Sequence, residues 1–481
     1  MRTNSEKDPL LGTTEDLKEE ARSKLTWRHA TLLPSVLMIM FGTAVYSYVL
    51  SEWTQYKIKT DFFPNTTQAK DVSCGTQNKT DPNYVKYHHV QQQAASWSIA
   101  YVLAEYVPAF FVQLVLPSYS DSYGRKFLFI LSVLGLSIKA ITVMLTIQFE
   151  ESFWYIVGAN IVEGFTGASF GLFSAMFSFT ADITTANSQR STAIVLIEAL
   201  SMVGYIVGSF LSGYFVQTMN LGFFHTSIIA TGCTIMGSVL ILLLPETLPK
   251  NKRTAPKPVL SMIKRMFDFY ISKDFKGQRL SYILLILAFF FFSLSSMNRS
   301  SMETLYFLGQ PFCWGPSKIG VFMLCRHGAQ CILGLGSVKL MQRYMSDEVV
   351  SIISLISNTV SLVVEAFAVS SIVIIMVPIT GMFSFLVIPV LRGMLSTMTS
   401  PDKQGAVFAS VALIEVVSNI LASLSQNELY SFTMSFMNGF VFLLMAFCSL
   451  ITLFFLLGYR CTKHKVVQYK HIQQDDSSPD C

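Results

Sequence analysis

Charged and titratable side chains lie within long apolar stretches of this sequence. They are Glu105, Lys139, Glu163, Glu198, Arg326, His327, Glu365, Arg392 and Glu415. An ionisable group is costly to bury in lipid, so such a position is by default a candidate functional site. A carboxyl group in an apolar cavity can hold a proton at mildly acidic pH and release it near neutrality. An arginine keeps its charge and offers a planar fork of donors to carboxylates and phosphates. These residue types predict a site that binds protons and organic anions.

His327 and Arg326 are neighbours with open interpretations. Imidazole titrates near physiological pH, so we predict that His327 takes part in proton coupling, with a satisfied buried histidine as the alternative. Arg326 points about 100° away around a helix, so both side chains cannot face one cavity squarely, and we predict that Arg326 helps to bind anionic groups. The other acids either face a cavity or pair with a cation such as Lys139; they are Glu105, Glu163, Glu365 and Glu415.

The apolar stretches themselves indicate the fold class. Of 481 residues, 52% are hydrophobic and only 14% are charged, whereas soluble domains carry about a quarter charged residues. A helix needs about 20 apolar residues to cross a bilayer core, and lipid offers the backbone no hydrogen-bond partners, so such stretches are helical. We predict twelve spans, near residues 32–51, 94–117, 127–149, 153–179, 191–216, 222–244, 280–298, 317–341, 348–369, 371–396, 405–425 and 433–459.

The expected fold is an all-α membrane protein in two six-helix halves, residues 31–246 and 279–459. The densest run of Lys and Arg lies between the halves, at residues 247–278, and the tails at residues 1–30 and 460–481 add more. Cytosolic loops are enriched in Lys and Arg, so we expect the linker and both termini in the cytosol. The basic linker is then expected to contact anionic membrane lipid rather than nucleic acid.

The loop at residues 52–93 is predicted to lie on the outer or lumenal side. It contains two acceptor sequons for N-glycosylation, at Asn65 and Asn78. Cys74 in this loop and Cys313 after the seventh span are the two cysteines assigned to the oxidising side. A disulfide between them is therefore predicted, with two free thiols as the alternative. The sequence shows no spacing typical of a metal site.

The N-terminal tail carries a candidate sorting signal. Glu6 precedes the pair Leu10 and Leu11 in the pattern of an acidic dileucine motif. Clathrin adaptors read such motifs on cytosolic tails and sort their carriers to endosomes and lysosomes. We therefore predict a lysosomal or endosomal membrane location, with the plasma membrane as the alternative.

A short cytosolic turn follows the second span and reads Asp-x-x-Gly-Arg-Lys from Asp121 to Lys126. Gly124 permits a positive φ angle, and Asp121 can pair with Arg125 or accept hydrogen bonds at a helix N-terminus. Arg125 and Lys126 can bridge to the other half. We predict that these residues stabilise one closed state of an inner gate, with an ordinary basic loop as the alternative.

This turn resembles the signature loop of the major facilitator superfamily, with Pro117 and Ser122 departing from the family pattern. Four stretches in matching order in both halves are similar to solute carrier family 46, which includes the proton-coupled folate transporter and a lysosomal relative: residues 120–126, 304–314, 388–392 and 404–408. The dileucine-like head and the acidic tail look more like the lysosomal member. The resemblance implies a twelve-helix carrier and supports Cys313 as one end of the family's disulfide.

The resemblance also implies roles for two residues. Glu198 lies in the region of the family's proton-coupling glutamate, and Arg392 lies in the matched Pro-x-x-Arg stretch, where it would contact substrate or form a gate ion pair. Ser296 stands where the folate carrier has a titratable histidine, and this departure separates the chain from folate specificity.

The expected activity is secondary active transport, with protons driving symport of a small organic anion and with no cofactor. By resemblance, the anion would be folate-like or pterin-like, or a lysosomal catabolite. Three alternatives stay open: a proton-antiporting exporter, a transport-inactive receptor or scaffold on the same fold, and a membrane-embedded enzyme. An enzyme would require a nucleophile or metal cluster at one depth, and the chain has only seven histidines, most of them in loops or tails.

Overall fold

The computed structural model describes residues 30–62, 82–183, 188–248, 250, 253, 279–398 and 404–475. These residues form helices and turns and include no β-strand. The N-terminal half contains α1 (Leu32–Phe62), α2 (Pro82–Gln113), α3 (Leu116–Tyr123), α4 (Arg125–Gln148), α5 (Phe153–Phe165), α6 (Ala168–Ile183), α7 (Ser188–Gly213) and α8 (Gly222–Leu242). The C-terminal half contains α9 (Arg279–Ser296), α10 (Arg299–Leu308), α11 (Pro316–Ala329), α12 (Gly336–Tyr344), α13 (Asp347–Ala366), α14 (Ser371–Thr380), α15 (Val387–Thr397), α16 (Gln404–Thr433) and α17 (Phe440–Asp475).

Most of this helical structure is long and apolar enough to cross a membrane. Over the described residues, ten helices meet that condition, and eleven do if the bent pair Ser371–Thr380 and Ser384–Leu395 is one span. The prediction of a multi-pass helical protein is therefore confirmed. Helix α16 is continuous over 30 residues but does not meet the condition, so the count of twelve spans stays a prediction.

Several spans are broken into two helices. Between α5 and α6 the chain turns through Gly167 and Ala168, whose φ angles are 95° and 51°, a region that favours glycine. Between α14 and α15 the axes bend by 42°, and Pro378 lies inside α14, where a proline removes one hydrogen bond of the helix. Broken helices in membranes are tolerated where protein or a cavity surrounds the freed backbone groups.

Two helix pairs join the halves. Helix α2 packs along α16, and α7 packs along α11. At the outer end of the second pair, Gln217 accepts a hydrogen bond of 2.9 Å from the backbone N–H of Ser317. Nearby, the backbone of Gly320 lies so close to Phe210 that a Cβ atom would stand 3.1 Å from the Phe210 carbonyl oxygen.

The buried apolar residues form three cores, one of which includes residues from both halves. The largest includes Val45, Trp53 and Tyr101 of the N-terminal half together with Phe307 and Trp314 of the C-terminal half, all toward the end predicted to be outer. The other two cores lie toward the predicted cytosolic end, and among the described residues each is confined to one half. One apolar core thus extends across both halves toward the predicted outer end, whereas the apolar cores toward the predicted inner end are separate.

Candidate functional site

Arg392 forms an ion cluster that joins the two halves. Its Nη1 donates to Glu198 Oε1 at 2.8 Å, and its Nη2 donates to Glu415 Oε1. Glu198 lies on α7 in the N-terminal half, whereas Arg392 and Glu415 lie on α15 and α16 in the C-terminal half. The structure thus brings the predicted proton-coupling glutamate and the predicted anion-binding arginine into direct contact.

This cluster, hereafter the Arg392 cluster, is only slightly exposed. The side chains of Arg392, Glu198 and Glu415 expose 22%, 13% and 8% of their surfaces. One cation between two carboxylates leaves one excess negative charge when both acids are ionised. Burying an uncompensated charge is costly. The cluster can remove its excess charge either by binding one proton or by releasing one carboxylate from the guanidinium.

A second cluster lies wholly in the C-terminal half. Arg299 Nε pairs with Glu303 at 2.8 Å, and its Nη2 pairs with Glu365 at 2.8 Å. Arg326 Nη2 pairs with the other oxygen of Glu303 at 2.8 Å. Asn358 and Ser361 of α13 accept further hydrogen bonds from Arg299. Two arginines balance two glutamates, and all four side chains are at most 5% exposed.

His327 borders this network. Its Nε2 lies 2.9 Å from Arg326 Nη2, and its Nδ1 lies 3.3 Å from Gln330 Oε1. Its ring packs edge-on against Tyr205 of α7, with centroids 5.7 Å apart, so His327 lies at the contact between the halves. Arg326 and His327 thus contact each other through these two nitrogens, although neighbouring side chains leave a helix about 100° apart.

Arg299 and Glu303 belong to a buried ion network that sequence reasoning missed. The seventh span was expected to end near residue 298, whereas the described helix resumes at Arg299 and continues as α10 to Leu308. The available signal was the Arg-x-x-x-Glu spacing, which places both side chains on one helical face. Asn298 begins this helix and is 8% exposed.

A third cluster lies in the N-terminal half. Lys139 Nζ is 2.6 Å from Glu105 Oε2 and 2.5 Å from Glu163 Oε2. The three side chains come from α4, α2 and α5. Lys139 thus pairs with two of the acids whose roles the sequence left open, and we call these three residues the Lys139 cluster.

The predicted gate turn is anchored within the N-terminal half. Arg125 Nε donates to Asp182 at 3.0 Å, and the backbone N–H groups of Arg125 and Lys126 donate to Glu246 at 2.9 and 3.3 Å. Glu246 thus occupies the N-terminus of α4, where a carboxylate is favoured. Gly124 has a φ angle of 110°, and a Cβ atom there would collide with the Glu246 carboxylate.

Two of these gate contacts fall on residues other than those expected. Sequence reasoning gave the helix-terminus role or the Arg125 partner to Asp121, whose side chain lies outside the described part of the structure. Among the described side chains, Glu246 and Asp182 make these contacts, and the role of Asp121 stays a prediction. The signal for Glu246 was present in the stretch Pro245-Glu246-Thr247 at the end of the sixth span.

Several other predicted residues fall outside the described residues: Glu6, Leu10, Leu11, Asn65, Cys74 and Asn78. Cys313 is disulfide-bonded, and its pairing with Cys74 stays a prediction. Within the described ranges, no group of three or more His, Cys, Asp or Glu side chains could hold a metal ion.

Sequence comparison identifies the type of protein that carries these clusters. Residues 32–422 match the model of the Major Facilitator Superfamily. The chain is 27% identical over 436 residues to the lysosomal proton-coupled steroid conjugate and bile acid symporter SLC46A3 of Gallus gallus, covering 89% of this chain and 93% of that relative. It is 26% identical over 413 residues to the proton-coupled folate transporter of Rattus norvegicus, covering 85% and 88%. The predicted resemblance to solute carrier family 46 is confirmed.

Solved structures agree on the fold. The human organic anion transporter MFSD10 aligns with a TM-score of 0.64 at 14% identity, covering 90% of this chain and 100% of that one. The D-xylose-proton symporter aligns with a TM-score of 0.64 at 13% identity, covering 89% and 96%. The relatives in solute carrier family 46 named above are solute transporters rather than enzymes. This multi-pass membrane protein therefore belongs to the Major Facilitator Superfamily.

Proposed function

We propose that this protein is a proton-coupled symporter of a small organic anion. The observation that carries the proposal is the Arg392 cluster, in which Glu198 of one half and Glu415 of the other share one guanidinium. The cluster is buried, links the moving parts of the fold, and contains one carboxylate more than its cation can balance. These are the properties that a proton-controlled link between the halves requires.

The mechanism follows from the charges. A proton on Glu198 removes the attraction between that carboxyl group and Arg392, and Glu415 alone then balances the guanidinium. The cross-half ion pair is broken, and one side of the guanidinium fork becomes available to an anionic group of the substrate. When the proton leaves, Glu198 competes again for Arg392 and favours release of the anion. Proton and anion thus move together.

The arrangement of the cores supports an inward-facing state for this structure. One continuous core fuses the halves at the outer end, whereas the inner cores are separate. In the alternate state the inner ends would close, and the gate turn, including Asp121, Arg125 and Lys126, would face the other half.

The proposed substrates are folates or other pterins, steroid conjugates or bile acids, and lysosomal catabolites such as sugar-peptide fragments. The names of the relatives support the first two classes. Ser296 replaces the histidine of the folate carrier, and its hydroxyl is buried without a hydrogen-bond partner. This departure favours the other classes over folate.

We further propose twelve spans with cytosolic termini and a lysosomal or endosomal location. The relative in Gallus gallus is named as lysosomal, and the dileucine-like motif at Glu6, Leu10 and Leu11 would engage a clathrin adaptor. Asn65 and Asn78 would carry glycans in the lumenal loop, and Cys74 would pair with Cys313. Anionic lipid would contact the basic linker.

Uptake into vesicles tests the proposed function. We would measure uptake of folate, a steroid conjugate, a bile acid and a muramyl dipeptide at outside pH of about 5.5 and about 7.4, a window in which buried carboxyl groups titrate. Wild-type protein should take up at least one probe faster at the acidic pH, and Glu198→Gln should abolish the acid stimulation. Acid-stimulated uptake that is unchanged in Glu198→Gln contradicts the assignment, and faster efflux into an acidic outside medium would identify an exporter.

A further inference from the structure

The Lys139 cluster has the same charge imbalance as the Arg392 cluster but lies within one half. Its side chains expose 9% for Lys139, 13% for Glu105 and 3% for Glu163. One ammonium group between two carboxylates leaves one excess negative charge. The effective penalty for burying an ion is several kcal/mol, about the same for either sign. A buried charge without a partner therefore tends to neutralise by binding or losing a proton.

The hydrogen bonding of the two acids is unequal. Lys139 donates a hydrogen bond to Glu105 Oε2. Glu163 Oε2 contacts the same ammonium group but makes no hydrogen bond, and Glu163 as a whole is 2% exposed. A carboxylate this deeply buried is expected to be fully hydrogen-bonded when ionised. One ammonium group thus serves both acids, and one of the two carboxyl groups is left as the candidate to bind a proton.

The surroundings supply no second cation among the described residues. Tyr46 of α1 places its ring 5.2 Å from Lys139 Nζ, and its hydroxyl is buried without a hydrogen-bond partner. Tyr106 of α2 is a further titratable side chain that interacts with all three members of the cluster, and Tyr101 of α2 interacts with Tyr46. From α8, the Thr231 hydroxyl binds the backbone carbonyl of Ala140. These groups are neutral at physiological pH.

We propose that Glu105, Lys139 and Glu163 form a second proton-binding site, in which the two carboxyl groups hold one proton between them. The inference rests on the proposed function and deepens it, because it adds a proton to the one at the Arg392 cluster. Glu105 is the most exposed member, and it lies on α2, which packs along α16 of the other half. Movement between the halves therefore reaches this site through α2.

The Arg299 network provides a matched contrast. It is as deeply buried, but two arginines balance two glutamates, so it requires no proton. Glu303→Gln removes a carboxylate from this balanced network and should leave the number of protonated carboxyl groups unchanged. Glu163→Gln removes a carboxylate from the unbalanced Lys139 cluster and should eliminate one protonated group. Lys139→Met removes the cation and should add one, since both acids are then unpaired.

Infrared absorption of protonated carboxyl groups tests this directly on the full chain in lipid vesicles at neutral pH. The band should fall by one group in Glu163→Gln, rise by one group in Lys139→Met, and stay unchanged in Glu303→Gln. An ionised, purely structural cluster would give no change in Glu163→Gln. Glu105→Gln should reproduce the loss and replaces Glu163→Gln if that variant does not give a monodisperse protein.

Uptake of the probe that the wild type transports best gives a second reading. If the site delivers its proton in each cycle, two protons enter with each anion, measured as the ratio of internal acidification to anion uptake, and Glu163→Gln lowers that ratio to about one. An unchanged infrared band in folded Glu163→Gln and Glu105→Gln overturns the second site. Failure of the proposed function gives a different result. Acid then does not stimulate uptake by the wild type, whether or not the infrared band changes in the variants.

Discussion

Arg392 holds two acids through separate nitrogens of one guanidinium, and this geometry gives its own prediction. Nη1 binds Glu198 and Nη2 binds Glu415, and a lysine, whose ammonium group is a compact point charge, cannot reproduce this planar fork with one nitrogen on each acid. Arg392→Lys should therefore fold but lose one charged hydrogen bond, worth about 1.5–3 kcal/mol, and reduce uptake by about tenfold or more. Uptake rate per molecule of surface protein measures this. Wild-type uptake in Arg392→Lys would show that the fork geometry is irrelevant.

The Arg299 network predicts an effect on folding rather than on pH dependence. Arg299→Met leaves Glu365 and Glu303 buried with fewer partners, and breaking a buried pair costs about 3–5 kcal/mol. The thermal unfolding temperature of the detergent-purified protein should fall sharply. In the double variant Arg299→Met with Glu365→Gln the loss should be smaller, because the stranded charge at Glu365 is removed. An equal loss in the single and double variants would contradict the pairing.

The sequence identified charged positions in the apolar stretches more successfully than it identified the residues that each of them contacts. Glu198 and Arg392 were identified by family resemblance, and Lys139 was expected to pair without a defined partner. Arg299 and Glu303 were missed because the apolar run ends before them, although the helix continues. Charge pairing depends on which helices meet, and a single sequence contains no direct signal for that.

Helix α5 contains two glycines, of which one lies against a neighbouring helix and the other does not. A Cβ atom on Gly164 would collide with the backbone carbonyl of Glu105 on α2, whereas a Cβ atom on Gly158 would meet nothing within 4 Å. Gly164→Ala should push α2 away from α5, disturb the Lys139 cluster and lower the yield of folded protein. Gly158→Ala is the matched control and should be neutral or slightly stabilising, since alanine favours helix by about 1 kcal/mol over glycine.

Fluorescence size-exclusion chromatography after heating measures both glycine variants. Equal stability of Gly164→Ala and Gly158→Ala would contradict the close approach of α2 and α5. The close contact with the Glu105 carbonyl explains why a residue without a Cβ atom stands at position 164. The break at Gly167 was not accessible from sequence, because the apolar run continues through it.

At the scale of the whole molecule, the outer ends of the halves are joined by polar contacts as well as by the apolar core. Gln217 at the end of α7 accepts from the N–H of Ser317 at the start of α11. Joining Gln217→Cys to Ser317→Cys with a short thiol-reactive linker should stop uptake, since alternating access requires this end to open. Reductive cleavage of the linker should restore uptake, and the Gln217→Cys single variant treated identically should be unaffected. Uptake that continues while the linker is intact would contradict the proposed outer gate.

The fold class followed from hydropathy and charge, but the state of the carrier did not. Whether an apolar core extends across both halves depends on how far the ends of the halves have separated. In the inward-facing and outward-facing states alike, each half buries the same helical faces against its own helices. Only the three-dimensional arrangement distinguishes them, so the proposed inward-facing state rests on the cores and not on the sequence pattern.

Proton flux tests the central claim most directly. Reconstituted vesicles with a pH-sensitive dye inside should acidify when a transported anion is added outside, because each anion enters with protons that pass the Arg392 cluster. Glu198→Gln should still bind the anion but should give no anion-dependent acidification. Anion-dependent acidification at the wild-type rate in Glu198→Gln would contradict the claim that Glu198 and Arg392 couple proton and anion movement.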